Sequence, residues 1–551
     1  MPESPTVEGG RSSPLVARRA LPRRGDGGRA PAWLIAPAVL TAAAVNLPLV
    51  YLVVRSSQNG LERYLEVVVS PGTLALCART LLLVAGVLAT TIAIALPAAW
   101  LATRTDLPGR RVWAVLLALP LVFPSYVSAF CLVAALGPRG HLQSWLAPLG
   151  VERLPDIAYG YSGALLALGL FQYPYLYLLL AGAFEGLDPA LEESSRTLGA
   201  GRWRTFARVT LPQLRPALLG GGLLVCLYTL SDFGAVSIVR YDTFTLSIYN
   251  AYRSLFDRTV AASLGTVLVA LTLAFVAVEA LLVRRCRPTR TRSARPAALV
   301  VLGRWRWPAL AAVALIVAAS LALPVAVVAS WAWRALAAGA ALDAAWGAAA
   351  RSLAVALITA AAAVALSVPP SVWWVRHRTA AARLIERLTA AGYALPGLVV
   401  ALALVFFATR WAPRLYQTAP LLVAAYLVRF LPEAIAATRS ALQAVSPSFE
   451  EAARSLGSGP WRALVTVTLP VIRPGLLAGG GLVFLTTLKE LPATLILRPI
   501  GFETLATRVW SAAGEAVFSQ AALPSVLLLV VSAPLLYLLL IRPSLGERER
   551  A

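Results

Sequence analysis

The stretch LEESSRTLGAGRWRTFARVTLPQLRP, residues 191–216, decides the fold because the chain contains it twice. The second copy, FEEAARSLGSGPWRALVTVTLPVIRP, covers residues 449–474 and aligns without a gap, so Trp203 recurs as Trp461, 258 positions later (461 − 203 = 258). Both copies carry two adjacent acids, two glycines and a Leu-Pro pair, and apolar runs flank each of them. A polar segment that recurs between apolar runs indicates an internal duplication.

Composition places the chain in a membrane. Its 551 residues are 59% hydrophobic and only 14% charged, with a mean hydropathy of +0.73. A soluble domain of this length does not have enough interior to bury so much apolar surface. We therefore expect an all-α integral membrane protein in contact with the lipid bilayer.

The net charge of +23 does not indicate nucleic-acid binding. A nucleic-acid-binding surface concentrates its basic residues on one soluble domain, whereas the arginines here lie between apolar segments. The four cysteines are scattered without a CxxC pair, so neither a disulfide framework nor a zinc site is indicated.

Apolar runs of about 20 residues are long enough to span a bilayer, and about twelve are present. The first is longer than a signal peptide and lacks a cleavage site, so we interpret it as a retained span. The predicted spans are residues 33–54, 79–103, 112–136, 161–184, 217–239, 261–283, 308–332, 352–375, 388–409, 418–438, 475–497 and 520–541.

Arginine is enriched on the cytoplasmic side of membrane proteins. With the amino terminus inside, the inner segments hold most of the basic residues, including the basic stretch at 284–306. This orientation puts both termini and both copies of the polar loop in the cytoplasm.

The basic stretch also divides the chain into two parallel six-span repeats, since an even number of spans per half preserves orientation. The predicted domains are a basic cytoplasmic tail at 1–32, a first repeat at 33–283 with its polar loop at 188–212, a connector at 284–306, a second repeat at 307–541 with its polar loop at 446–470, and a tail at 542–551.

Each polar loop predicts a short helix. Asp188 and Ser446 each precede a proline, which is a favourable helix start, and Gly199 and Gly457 suit a left-handed turn at the end. A solvated loop would explain one such copy. Two gapless copies in parallel repeats favour a docking surface for a symmetric or pseudo-symmetric partner.

The loop resembles the EAA loop of binding-protein-dependent ABC transporter permeases. Glu193-Ser194-Ser195, Gly199 and Leu211-Pro212 match its pattern, and Glu451-Ala452-Ala453 with Gly457 match it again. The first copy departs from the consensus in having serines for the two alanines.

The resemblance implies a permease fold of the type I ABC importers in the bacterial cytoplasmic membrane. It also implies two cytoplasmic ABC ATPase subunits, which use ATP and Mg, and an extracytoplasmic substrate-binding protein. The residues that it assigns to ATPase coupling are Glu192, Glu193, Gly199, Glu450, Glu451 and Gly457.

The chain itself is not expected to be an enzyme. A Walker A loop needs a lysine before a serine or threonine, but the one lysine, Lys489, precedes a glutamate. His141 and His377 fall on opposite sides of the predicted membrane, so no hydrolytic site is indicated. We expect no catalytic residue, no bound cofactor and no permanent metal site in this chain.

Charges within spans are costly and usually face a cavity or a partner. Asp232 and Glu490 lie 258 positions apart in the predicted fifth spans, so they and Lys489 are candidates for lining a translocation path. The alternative is local pairing, in which Lys489 neutralises Glu490 or an acid on a neighbouring helix. Arg429 and Glu433 have the spacing of an intrahelical ion pair.

Three tyrosines occur in FQYPYLYLLL: Tyr173, Tyr175 and Tyr177. Their phenol oxygens would suit a ferric ion, but we interpret them as an interfacial aromatic belt.

Substrate identity rests on a further resemblance. The segments LSDFGAVSIVRYDTFTLSIYNAY and LKELPATLILRPIGFETLATRVW are similar to those of fused ferric-iron permeases, which implies import of ferric iron. Fused permeases for thiamine, phosphonates or polyamines share the layout and remain alternatives. A proton-driven secondary transporter with twelve spans is an alternative of another class.

Overall fold

The computed structural model describes residues 31–538 except 59, 139, 141–142, 144–156, 255–256, 287–298, 340–342, 378 and 393–394. The regular structure within these ranges is helical. Ten helices are long and apolar enough to cross a membrane, and a bent pair makes an eleventh. The principal helices before the connector are Ala32–Ser57, Leu61–Val68, Pro71–Arg104, Arg110–Ala118, Ser125–Leu136, Gly160–Glu185, Pro189–Thr197, Leu211–Ser231, Gly234–Ile238, Phe244–Arg253 and Arg258–Arg284.

The second half repeats this order. Its principal helices are Arg306–Val317, Leu323–Ala337, Asp343–His377, Ala380–Ala391, Gly397–Trp411, Ala419–Ala444, Ser448–Ser455, Leu469–Leu488, Pro492–Leu497, Leu505–Gly514 and Phe518–Leu536. Short π-helical segments at Phe206–Thr210 and Leu464–Thr468 occupy equivalent positions in the two polar loops.

Four of the twelve predicted spans differ in the structure, and the first two are the third span of each repeat. The span predicted at 112–136 is the bent pair, Arg110–Val122 followed by Ser125–Leu136, with an angle of 99° between its parts. Pro124 has an extended backbone at the bend, as proline favours before a helix. The span predicted at 388–409 is the 15-residue helix Gly397–Trp411, because the extended Pro396 separates it from Ala380–Ala391.

Both predicted fifth spans, 217–239 and 475–497, are broken rather than continuous. Leu211–Ser231 ends at Asp232, and Leu469–Leu488 ends at Lys489, before a short helix resumes in each case. The Asp232 carboxylate accepts hydrogen bonds from the Ala235 and Val236 N–H groups. It therefore caps the second piece of the broken span in the way that aspartate caps an ordinary helix.

The first span of each repeat packs against the other repeat. Ala32–Ser57 lies along helices of the second half, where Asn46 donates a hydrogen bond to the Leu388 carbonyl at 2.8 Å. Leu323–Ala337 lies against Ser125–Leu136 of the first half. This reciprocal exchange joins the two repeats into one helical body.

The second-span helices, Pro71–Arg104 and Asp343–His377, carry arginines near both ends. Arg79 pairs with Asp242 at 3.3 Å, and the Arg351 Nε donates to the Glu503 carbonyl at 2.9 Å. Arg104 and Arg376, 25 positions further along each helix, contact the polar loops. A helix rises 1.5 Å per residue, so each arginine pair is separated by roughly 37 Å, more than the ~30 Å hydrocarbon core. The polar loops therefore lie at the opposite membrane face from Asp242 and Glu503.

Candidate functional site

The polar loops each begin with a short surface helix, here called the first coupling helix (Pro189–Thr197) and the second coupling helix (Ser448–Ser455). Asp188 caps the first by accepting a hydrogen bond from the Ala190 N–H at 3.1 Å. The second begins one residue later than the predicted Pro447, which is its N-cap. Ser446 still accepts a hydrogen bond from the Ser448 N–H at 3.3 Å.

Both coupling helices end in the same left-handed turn. Gly199 has φ +82° and Gly457 has φ +86°, as expected from the sequence. The Gly199 N–H donates to Arg196 and the next N–H donates to Ser195, which is the hydrogen-bond pattern of a Schellman C-cap. The second loop repeats both bonds. A residue with a Cβ is strained at this φ.

The first coupling helix is attached to the membrane body through Glu192. Its carboxylate forms an ion pair with Arg104 at 2.6 Å, and it accepts a hydrogen bond from the Thr210 hydroxyl at 2.8 Å. The Arg104 and Glu192 side chains are only 8% and 14% exposed. A single carboxylate thus joins the coupling helix, the end of the second span and the start of the fifth.

Glu450 makes the same attachment for the second coupling helix. It pairs with Arg376 at 2.9 Å and accepts a hydrogen bond from Thr468 at 3.0 Å. The neighbouring Glu193 and Glu451, in contrast, are exposed. The two adjacent acids therefore have different surroundings, one facing the membrane body and one facing outward.

Sequence reasoning missed the partners of these acids. Thr210 and Thr468 are related by the same 258-position offset as the loops, which was a usable signal. Arg104 and Arg376 are 272 positions apart (376 − 104 = 272), because the spacing between spans and loops differs in the two repeats. A search at one fixed offset does not find that pair.

Large apolar side chains are exposed on both loops. Leu198 and Leu456 are each 87% exposed, and Trp203 is 85% exposed. Trp461 is 62% exposed, since its ring meets Trp33 edge-on at 5.2 Å. Apolar residues displayed at equivalent places on two helices form a surface suited to binding a protein.

Each coupling helix is connected to the membrane interior by one long helix. In the first repeat it runs from Arg202 to Ser231 through the π-helical segment, and in the second from Pro460 to Leu488. The 30 residues of Arg202–Ser231 extend over roughly 45 Å. They end beside Asp232, and the second helix ends beside Glu490. One continuous helix therefore joins each polar loop to the break in its fifth span.

The three candidate path residues have different partners. Asp232 caps the short helix Gly234–Ile238, whereas Glu490 pairs with Arg429 at 3.5 Å. Lys489 donates a hydrogen bond at 2.7 Å to the Leu121 carbonyl at the bend in the other repeat. Among the described residues, the ion pair of Glu490 is with Arg429 and not with Lys489. Arg429 contacts Glu490 rather than forming the expected ion pair with Glu433.

The tyrosine cluster is not an aromatic belt at the membrane surface. Tyr173 and Tyr177 are 0% and 1% exposed, and the Tyr173 hydroxyl lies 3.3 Å from that of Ser320 in the second repeat. Tyr175 stacks on Tyr228, with 4.5 Å between ring centroids. The belt interpretation failed because this helix is enclosed mainly by other helices of its own repeat, with Ser320 of the second repeat reaching Tyr173.

Similar proteins agree with the duplicated architecture. The Fe(3+)-transport system permease protein FbpB 2 of Haemophilus influenzae is 32% identical over 91% of this chain and 96% of its own length. A putative ferric transport system permease protein, FbpB 1, from the same species is 25% identical over 74% of this chain and 67% of its own length. The sulfate transport system permease protein CysT of Escherichia coli is 30% identical over 41% of this chain and 82% of its own length.

The family model for binding-protein-dependent transport system inner membrane components matches the chain twice, over residues 92–288 and 358–542. Each match contains one coupling helix and one broken fifth span. This chain is a membrane permease with two such units, and it belongs to the family of binding-protein-dependent transport system inner membrane components.

Proposed function

We propose that the chain is the permease subunit of an ATP-driven importer and that its two coupling helices bind two separate cytoplasmic ATPase subunits. The paired apolar surfaces around Leu198 and Leu456, both 87% exposed, support this docking. Two equivalent sites on one chain suit a partner with two equivalent subunits. The ATPase subunits supply ATP hydrolysis with Mg, and this chain supplies the route.

The attachments at Glu192 and Glu450 support a mechanical role for the loops. Each carboxylate joins its coupling helix to a second-span arginine and to the base of a fifth-span helix. When the ATPase subunits approach each other, both fifth spans move with the coupling helices. The proposed consequence is alternating opening of the route between the two repeats.

The proposed cargo is ferric iron. The observation that carries this assignment is the 32% identity to a ferric-iron permease along nearly the full length of both chains. The sulfate permease matches only 41% of this chain, which corresponds to one repeat and not to the fused layout. Thiamine, phosphonate and polyamine importers are the competing cargo classes.

The substrate-binding protein is proposed to dock on the membrane face opposite the coupling helices, where Asp242 and Glu503 lie. The protein then belongs in a bacterial cytoplasmic membrane, with both termini and both coupling helices in the cytoplasm. The arginine-rich connector supports this orientation.

Uptake into proteoliposomes tests the cargo assignment. The vesicles contain this chain with its ATPase, and the binding protein is loaded with radiolabelled ferric ion. We expect ATP-dependent uptake that needs all three components and is unaffected by thiamine, a phosphonate, a polyamine or sulfate. A complex that hydrolyses ATP in response to another loaded binding protein, and moves no iron, would refute ferric iron as the cargo.

A further inference from the structure

Polar side chains from both repeats meet where the second fifth-span helix breaks. Glu490 is 6% exposed and accepts a hydrogen bond from the Ala493 N–H at 3.2 Å. Arg429 pairs with Glu490, and an added Cβ at Gly234 would meet both Tyr126 of the first repeat and Leu491, the residue after Glu490. Glu490 and Tyr126 are both buried where the two repeats meet.

The Arg429 guanidinium and the Glu490 carboxylate form an ion pair with a long N–O distance. The Arg429 Nη1 lies 3.5 Å from the Glu490 carboxylate, and within the described ranges this nitrogen makes no hydrogen bond. Arg429 also interacts electrostatically with Glu433, whose carboxylate accepts a hydrogen bond from Thr486 at 3.3 Å. One guanidinium thus supplies positive charge to two buried carboxylates, and such acids need a counter-charge in this environment.

Gly397 provides the space for this pair. An added Cβ at Gly397 would meet both the Arg429 guanidinium and the Glu490 carboxylate.

The first repeat differs at the equivalent positions. Ser125 occupies the position that corresponds to Gly397, 272 places earlier (397 − 125 = 272), and hydrogen-bonds Asp232. Phe171 stands 258 places before Arg429 (429 − 258 = 171). The first repeat therefore has the acid without the cation.

The Tyr126 hydroxyl is not explained by the fold. Tyr126 is 2% exposed, and its oxygen has no hydrogen-bond partner among the residues that the structure covers. Buried hydroxyls are almost always hydrogen-bonded. The Tyr426 hydroxyl, in contrast, has a partner, since it lies 2.6 Å from the Thr494 hydroxyl. Tyr126 thus places an unused oxygen donor near a carboxylate.

The following inference rests on the proposed ferric cargo. We propose that Glu490 and the Tyr126 hydroxyl are the oxygen donors that the cargo cation meets where the route is closed, and that Arg429 takes the place of the cation between passages. Carboxylate and phenol oxygens suit a hard trivalent cation. The helix from Pro460 to Leu488 connects the second polar loop to this point, and the proposed role requires that movement of the loop separates Glu490 from Arg429.

Three variants test this role in the proteoliposome system with ATPase and iron-loaded binding protein. Glu490→Gln removes the charge and keeps the shape, Tyr126→Phe removes only the unpartnered hydroxyl, and Gly397→Ala displaces the pair without changing a charge. Tyr426→Phe is the matched control for Tyr126→Phe, because it removes a buried tyrosine hydroxyl that already has a partner in Thr494. The measured quantities are complex assembly, ATP hydrolysis stimulated by the binding protein, and ferric uptake per ATP.

We expect Glu490→Gln to lower ferric uptake per ATP at least about tenfold, and Tyr126→Phe and Gly397→Ala roughly threefold, with assembly and stimulated hydrolysis retained. Tyr426→Phe should keep ferric uptake per ATP within about twofold of the wild type, because its hydroxyl is already hydrogen-bonded within the protein. Removing an unpartnered hydroxyl has no structural cost, so a loss in Tyr126→Phe reports contact with cargo.

Equal uptake in the wild type and all three variants would overturn the inference and leave the ferric cargo intact. Parallel loss of assembly and uptake in Glu490→Gln and Gly397→Ala would also overturn it, since a structural role would then explain both. A wild-type complex that moves no iron would instead refute the cargo, and with it the role given to these oxygens.

Discussion

Gly199 and Gly457 show how a single residue type fixes the shape of the docking surface. Both have φ above +80°, and both end a coupling helix immediately before an exposed second helical piece. The sequence predicted this turn because glycine follows a capped helical segment in each copy. It could not predict which of the two adjacent acids faces inward, because that depends on Arg104 and Arg376, which lie on another helix.

Gly199→Val and Gly457→Val should weaken ATPase binding without preventing membrane insertion. A β-branched residue in the left-handed region costs about 1–2 kcal/mol, so the coupling helix and the following piece change their relative angle. No side chain lies within 4 Å of the added Cβ, so the effect comes from the backbone alone. The measurement is the amount of ATPase that co-purifies with each variant.

The neighbouring glycines provide a control for this experiment. Gly201 and Gly459 have φ near −65° and equally open surroundings, so valine is accommodated there. We expect Gly201→Val and Gly459→Val to retain the ATPase. Equal retention in both sets of variants would show that the left-handed turn does not determine docking.

At the scale of helices, the sequence predicted length and order well but did not predict breaks inside the membrane. Apolar residues lie on both sides of Asp232 and of the Lys489-Glu490 pair. The sequence therefore predicted these charges to lie within unbroken spans. The breaks follow from polar groups that satisfy the backbone locally, as Asp232 does for Ala235 and Val236. The crossing of each first span to the other repeat was also not predicted, because adjacent packing is the simplest expectation for consecutive helices.

Glu192→Gln should uncouple transport from ATP hydrolysis. The amide keeps the hydrogen bond from Thr210 but leaves the nearly buried Arg104 without its carboxylate, at a cost of about 1–3 kcal/mol. The coupling helix then moves without carrying the second span, which holds Arg104. We expect cargo transported per ATP hydrolysed to fall on the order of tenfold, which corresponds to about 1.4 kcal/mol.

Glu193→Gln distinguishes attachment from docking. Glu193 is exposed on the same helix, so its replacement leaves the contact with Arg104 intact. We expect reduced retention of the ATPase but unchanged transport per ATP in the complexes that form. If Glu192→Gln and Glu193→Gln behave alike, the assignment of separate roles to the adjacent acids is incorrect.

The whole molecule combines two family units into one body with two coupling helices at one membrane face. Duplication was predicted from the 258-position repeat, and the family matches agree with two units. The roles of the coupling residues, the domain boundaries and the ATP-using partners stay predictions. The asymmetry at Glu490 was not predicted, because it arises from Arg429 and Gly397, and the first repeat has Phe171 and Ser125 at the corresponding positions.

Site-specific photocrosslinking measures ATPase docking, the central claim, most directly. A photoreactive amino acid replaces Leu198, Leu456 or, as the control, Ile500, which is 88% exposed in the loop next to Glu503. In membranes that contain the transporting complex, we predict crosslinks to the ATPase from Leu198 and Leu456 and none from Ile500. A complex that transports cargo but gives no ATPase crosslink at either leucine would contradict the account.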